Sequence, residues 1–104
     1  MATRYHLIIS PRASADIHAI HQYIASDSER NAASMIEQLV DALDRLEEFP
    51  HRYRVAEHLK CRRGQTRVML VPPYLMYYRI LEKQLAVRII TIRHGARRQP
   101  RKLD

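Results

Sequence analysis

Residues 67–93 read Arg67-Val68-Met69-Leu70-Val71-Pro72-Pro73-Tyr74-Leu75-Met76-Tyr77-Tyr78-Arg79-Ile80-Leu81-Glu82-Lys83-Gln84-Leu85-Ala86-Val87-Arg88-Ile89-Ile90-Thr91-Ile92-Arg93. Two punctuation marks divide this stretch into three apolar runs. Pro72-Pro73 interrupts the first, because neither ring nitrogen can donate to a sheet ladder. Glu82-Lys83 is the second break and predicts a tight reversal. The runs 67–71, 74–81 and 85–93 are rich in Val, Ile and Tyr, which favour strands. Short connections make successive strands antiparallel. The last run is apolar on both sides from Ile89 to Ile92, the pattern of a strand covered on both faces, so it belongs in the sheet interior.

Upstream, the period changes. Tyr5-His6-Leu7-Ile8-Ile9 reads as a short opening strand, and Ser10-Pro11 as a helix start, with Ser as cap and Pro in the first turn. Ala13, Ile17, Ile20 and Ile24 then recur at helical spacing, with Asp16 and His18 off that stripe. Ser26 and Glu29 have capping-box spacing for a second helix. Its stripe is Ala32, Met35, Ile36, Leu39, Leu43 and Leu46, and Pro50 ends it. The short turn between the helices makes them antiparallel neighbours. Tyr23 is expected to cap the hairpin. Residues 51–64 carry no clear period, with a short helix or strand expected around Val55 to Leu59. The order β-α-α-β-β-β defines an α+β fold: a helical hairpin packed on one face of a mainly antiparallel sheet. One domain over residues 1–98 is expected, followed by a mobile basic tail at 99–104.

Charge is partitioned along the chain. Residues 1–51 hold 4 Lys+Arg and 8 Asp+Glu, whereas residues 52–104 hold 14 and 3, within a total of +7. Such a split builds a one-sided positive field that attracts nucleic acid, acidic protein segments or anionic surfaces. Most of the cations are Arg, whose planar fork pairs bidentately with phosphate or carboxylate. Cys61 is the only cysteine, so no intrachain disulfide forms and a reducing cytoplasm is the expected location. No run approaches the roughly 20 apolar residues of a membrane span. His18 and His21 lie three apart on a helix, with His51 and His58 later, but no fitting Cys or acidic ligands accompany them. Neither a metal nor any other cofactor is expected.

The helix Ser10-Pro11-x-Ala13-x-x-Asp16-Ile17-x-x-Ile20-x-x-Tyr23-Ile24, the segment Pro72-Pro73-Tyr74 to Ile80, and the ending Arg93-His94-Gly95-Ala96-Arg97-Arg98 together resemble the RelE/ParE toxin superfamily over nearly the whole chain. That resemblance implies the toxin half of a type II toxin–antitoxin pair. It also implies an acidic, partly disordered antitoxin segment wrapping the toxin in a hetero-oligomer. RelE-like members cut mRNA on the ribosome, and ParE-like members poison DNA gyrase and leave breaks in DNA. Attack by a 2′-hydroxyl needs a base, an acid and cations at the phosphorane. His94, Arg79 and Arg67 are the candidates for that set, with Tyr77, Tyr78, Glu57 or His58 as a second proton carrier. Nothing aromatic follows Tyr78, however, and the second helix ends on the acidic Glu47-Glu48 where the RelE type is Lys-rich. The long hairpin and the His-Gly-Ala-Arg-Arg ending favour the ParE-like branch. Arg67, Arg79, Arg93, His94, Arg97 and Arg98 are then the residues expected to bind target or antitoxin. Without the resemblance, the same cations read as solvated strand ends, or as a plain nucleic-acid-binding face with no toxicity.

Overall fold

Residues 67–94 form a meander of β2 (Arg67–Val71), β3 (Tyr74–Leu81) and β4 (Ala86–His94) in the computed structural model, which describes residues 3–57, 59 and 64–96. The opening strand β1 (His6–Ile9) precedes helices α1 (Pro11–Ala25) and α2 (Glu29–Glu48). The sheet order is β1-β4-β3-β2, so β4 is central, as its two-sided apolar pattern requires. β2–β3 and β3–β4 are antiparallel, whereas β1 lies parallel to β4, pairing His6 with Ala86 and Ile9 with Ile89.

The helices start where short hydroxyl side chains can take up free amides. Ser10 Oγ accepts from the Ala13 N–H at 3.0 Å, and Pro11 sits in the first turn. α2 is capped by Ser28 and not by the expected Ser26: Ser28 is extended at φ −154° and its Oγ accepts from Asn31 N–H at 3.1 Å. Ser26 is already helical, at φ −62°, and its hydroxyl donates to the Tyr23 carbonyl at 2.7 Å. An N-cap needs extended backbone, so Ser26 finishes α1 instead. The Tyr23 ring does not cap the hairpin; it is 73% exposed.

The main core lies between the helices and one sheet face. Ala13, Ile20, Met35, Leu39, Ala42 and Leu46 meet Met69, Val71, Met76, Tyr78, Val87, Ile89 and Ile92. The opposite face is not open. After α2, the chain makes a 3₁₀ turn at Pro50–Arg52 and returns across that face. Ala56 N–H donates to the Thr66 carbonyl at 2.7 Å, and Val68 N–H to the Arg54 carbonyl at 3.0 Å. A second cluster forms there from Ala56, Leu59, Val68, Tyr77 and Ile90. The element expected around Val55 to Leu59 is thus an isolated bridge from Val55 to Arg67. Tyr77 and Tyr78 project to opposite faces and both are buried. Tyr78 keeps its polar end satisfied by donating to the Pro50 carbonyl at 2.6 Å.

The β3–β4 reversal is longer than the expected two residues: a 3₁₀ turn over Glu82–Gln84 ends on Leu85, which is left-handed at φ 48°. Glu82 in this turn ties three elements together. Tyr5 Oη donates to Glu82 Oε2 at 3.0 Å, and the His51 ring bonds Glu82 Oε1. The His51 hydrogen bond, then the Tyr5 hydroxyl, hold the Glu82 carboxyl below its ordinary value of 4.5. A lowered folded-state pKa contributes stability above the unfolded value and loses it as pH falls through the folded one. In thermal melts, Glu82→Gln should therefore lie slightly below wild type at neutral pH. The gap should close below about pH 4 and remain small throughout, because exposed pairs are weak. A gap that widens on acidification would contradict this assignment.

Candidate functional site

β1 stops at Ile9, so β4 has a strand neighbour on that side only as far as Ile89. From Ile90 onward its edge faces α1, and side chains of the helix take over the ladder's work. Ser10 N–H donates to the Ile89 carbonyl at 3.0 Å, and Ser10 Oγ to the Ile90 carbonyl at 2.8 Å. Asp16 Oδ2 accepts from Thr91 Oγ1 at 2.5 Å and from Ile92 N–H at 2.9 Å. Beyond these bonds a cleft of about 670 Å³ opens between α1 and the end of β4. Arg12, Asp16, Tyr23, Tyr74, Arg93 and His94 line it, over Ile20 and Ile92.

His94 stands in this cleft with its ring edge-to-face against Tyr74, centroids 5.4 Å apart. Its Nδ1 accepts from Ala96 N–H at 3.0 Å, which leaves Nε2 to carry the proton of the neutral ring. The turn that follows depends on Gly95. Its N–H donates to the Pro73 carbonyl at 2.8 Å, and a Cβ at this position would lie 3.2 Å from that oxygen. Arg93 pairs with Leu75 in the β3–β4 register, on the sheet face away from the helices. Its Nε is buried with no hydrogen-bond partner among the described residues. Tyr77 shares that face. Burial pushes its phenol above the ordinary value, and Arg54 and Arg93 nearby pull it partly back.

The expected set is therefore divided. Arg93 and His94 are neighbours at the open end and both border the cleft, but the Arg93 side chain lies on the far face and the His94 ring under α1. Arg67 does not join them: its Nη1 donates to the carbonyls of Tyr53 at 2.7 Å and His51 at 3.2 Å, fastening the return segment. Arg67 pairs with Tyr78, three residues along β3 from the Leu75 opposite Arg93, or on the order of 10 Å away. Arg79 is buried, with Nε donating to Thr66 Oγ1 at 3.3 Å, and it faces Arg88 across the register. Arg97, Arg98, His58 and Cys61 lie outside the described residues, as does the tail at 99–104. Glu57 is exposed. Tyr78, a candidate proton carrier, is raised well above the ordinary phenol value by burial. Among the described residues no three His, Cys, Asp or Glu side chains are grouped to hold a metal ion. Nor is any helix among them long and apolar enough to cross a membrane.

Sequence reading overlooked the α1 wall of the cleft. Arg12, Asp16, Ala19 and Tyr23 recur at spacings of four, three and four, a second helical stripe beside the apolar one. That stripe is the signal that a polar face of α1 is used.

A two-helix hairpin over a four-stranded mixed sheet carries this cleft where the last strand outruns the first, and by its sequence matches the chain is a toxin of the RelE/ParE superfamily. More narrowly, the chain belongs to the ParE toxin family of type II toxin–antitoxin systems (parDE), which matches residues 7–99. It is 37% identical over 86 residues to Toxin RelE2 of Caulobacter vibrioides, covering 83% of this chain and 90% of that protein. Its fold is that of a chain in the chromosomal ParDE system from P. aeruginosa, at TM-score 0.69 and 16% identity, covering 89% of this chain and 98% of the other. A chain of the RelBE2 toxin–antitoxin complex from Mycobacterium tuberculosis aligns at TM-score 0.61 and 22% identity, covering 88% and 98%.

Proposed function

We propose that this toxin arrests bacterial growth as a ParE-like inhibitor of DNA gyrase, acting by binding and not by cleaving RNA, and that a tightly bound acidic antitoxin neutralises it. The observation that carries this reading is the dispersal of the expected nuclease set. Arg67 and Arg79 are spent on structural bonds, and Tyr77 and Tyr78 are buried phenols held in their neutral form. Proton transfer is efficient when a group titrates near the working pH, and neither phenol does. Arg93 and His94 instead place a guanidinium and an imidazole on the two faces of one strand end, the second beside a cleft, an arrangement suited to a carboxylate or phosphate on a partner that wraps that end. The match to the ParE family points the same way.

The RelE-like reading retains one specific observation: the His94 ring contacts Tyr74, an aromatic partner that the end of the sequence lacks. Induced expression in a bacterial host separates the two. Gyrase inhibition should stop DNA synthesis and induce filamentation while translation continues, and purified toxin should block gyrase supercoiling. A prompt halt in translation with cleaved ribosome-bound mRNA would replace this reading with the nuclease. Co-purification of the toxin with the product of a neighbouring reading frame tests the antitoxin.

A further inference from the structure

The β3–β4 ladder slips by one residue in the middle. Tyr78 pairs with Ile89 and Tyr77 with Thr91, so Ile90 is an extra residue with no partner across the strand. This is a β-bulge, and side chains beyond it are displaced to the opposite face from the one an unbroken ladder would give. With the bulge, Ile92 opposes Met76 in the main core, Arg93 opposes Leu75 on the far face, and His94 opposes Tyr74 beneath α1. Without it, Thr91 would oppose Met76, Ile92 would oppose Leu75, and Arg93 would take the place opposite Tyr74.

All three residues at the slip are fastened to the start of α1. The Ile90 carbonyl accepts from Ser10 Oγ, and Thr91 Oγ1 and Ile92 N–H both donate to Asp16 Oδ2. Ser10 and Thr91 are buried at 5% and 1% exposure, so these bonds are shielded from competing water. Asp16 is off the apolar stripe of α1, and nothing in helix packing requires a carboxylate there. The geometry points to Asp16, seconded by Ser10, as the positioning residue that locks the bulge and thereby decides which of Arg93 and His94 faces the cleft. Its importance for toxicity rests on the reading of Arg93 and His94 as partner-binding residues; its structural role does not.

The test compares Asp16→Ala and Asp16→Asn with Ser28→Ala, which removes the cap of α2 away from the cleft and serves as a control for stability loss alone. Amide exchange and nuclear Overhauser contacts are followed in the whole chain. In Asp16→Ala the Ile92 amide should exchange roughly tenfold to a hundredfold faster relative to Ile89, the cost of losing a charge-assisted bond. The contact between the His94 and Tyr74 rings should weaken in parallel. Asp16→Asn keeps one acceptor oxygen and should restore part of both signals. Ser28→Ala should leave both unchanged at a comparable melting temperature. An unchanged Ile92 amide together with an intact His94–Tyr74 contact in Asp16→Ala would overturn the assignment. If both signals are lost while growth arrest persists, the lock stands and the functional reading of Arg93 and His94 falls.

Discussion

Leu39→Asp is expected not to fold. Leu39 is 1% exposed, halfway along α2 and inside the cluster that joins both helices to the sheet. Truncation of such a leucine to Ala costs about 2–5 kcal/mol through lost burial and the cavity left behind. A carboxylate there also loses its hydration without gaining a partner, which adds several kcal/mol more. A domain of this size has about 5–15 kcal/mol in total, so the sum consumes most or all of it. Leu39→Ala should fold with a melting temperature lowered by roughly 10 °C or more. Val40→Asp, one residue on but 49% exposed, should shift stability by no more than about 0.5 kcal/mol. Circular-dichroism melts of the three variants suffice. A cooperative Leu39→Asp transition within a few degrees of wild type would show that α2 does not pack on the sheet by this face. Ile90→Asp, in the smaller cluster on the far face, should also be damaging, because Ile90 is packed with Tyr77 and Val68.

The contrast between Leu39 and Val40 shows which parts of the fold were legible. Helical and strand periods depend on nearest neighbours along the chain, so the apolar stripes of both helices and the three C-terminal strands could be read locally. The central place of β4 followed from its β-branched residues on both faces. Features that depend on contacts distant in sequence could not be read in this way. Arg54 and Ala56 fasten the segment over the far face through backbone bonds to Val68 and Thr66, and backbone groups leave no trace in residue type. The capping of α2 turned on a choice between two serines two positions apart, decided by backbone conformation. Pairing of β1 with β4 joins residues some 80 positions apart, and the slip at Ile90 is a property of that assembled sheet. The candidate site was half legible for the same reason. Arg93 and His94 stand at a strand end, where the charge pattern draws notice. Asp16 gains its role only once α1 lies against β4.

Arg93→Ala combined with His94→Ala is expected to abolish growth arrest while leaving the chain folded. Both residues are partly exposed at the end of β4, past the last residues of the main core, so their truncation removes little buried apolar surface. Their value to a partner is larger. Removing one member of a desolvated charge pair at an interface costs about 2–5 kcal/mol, so loss of Arg93 alone weakens a complex by roughly one to three orders of magnitude, and loss of a His94 hydrogen bond adds to that. Arg67→Ala is the informative comparison. It should also reduce toxicity, but through the fold: its guanidinium holds the Tyr53 and His51 carbonyls, and its loss frees the segment that seals the far face. The two variants therefore separate on melting, with Arg67→Ala lowered by several degrees and the double variant near wild type. Inhibition of gyrase supercoiling by purified proteins, measured at two salt concentrations, completes the comparison, since contacts made by exposed cations weaken as salt screens them. A double variant that still arrests growth and still inhibits gyrase would move the binding surface away from the end of β4.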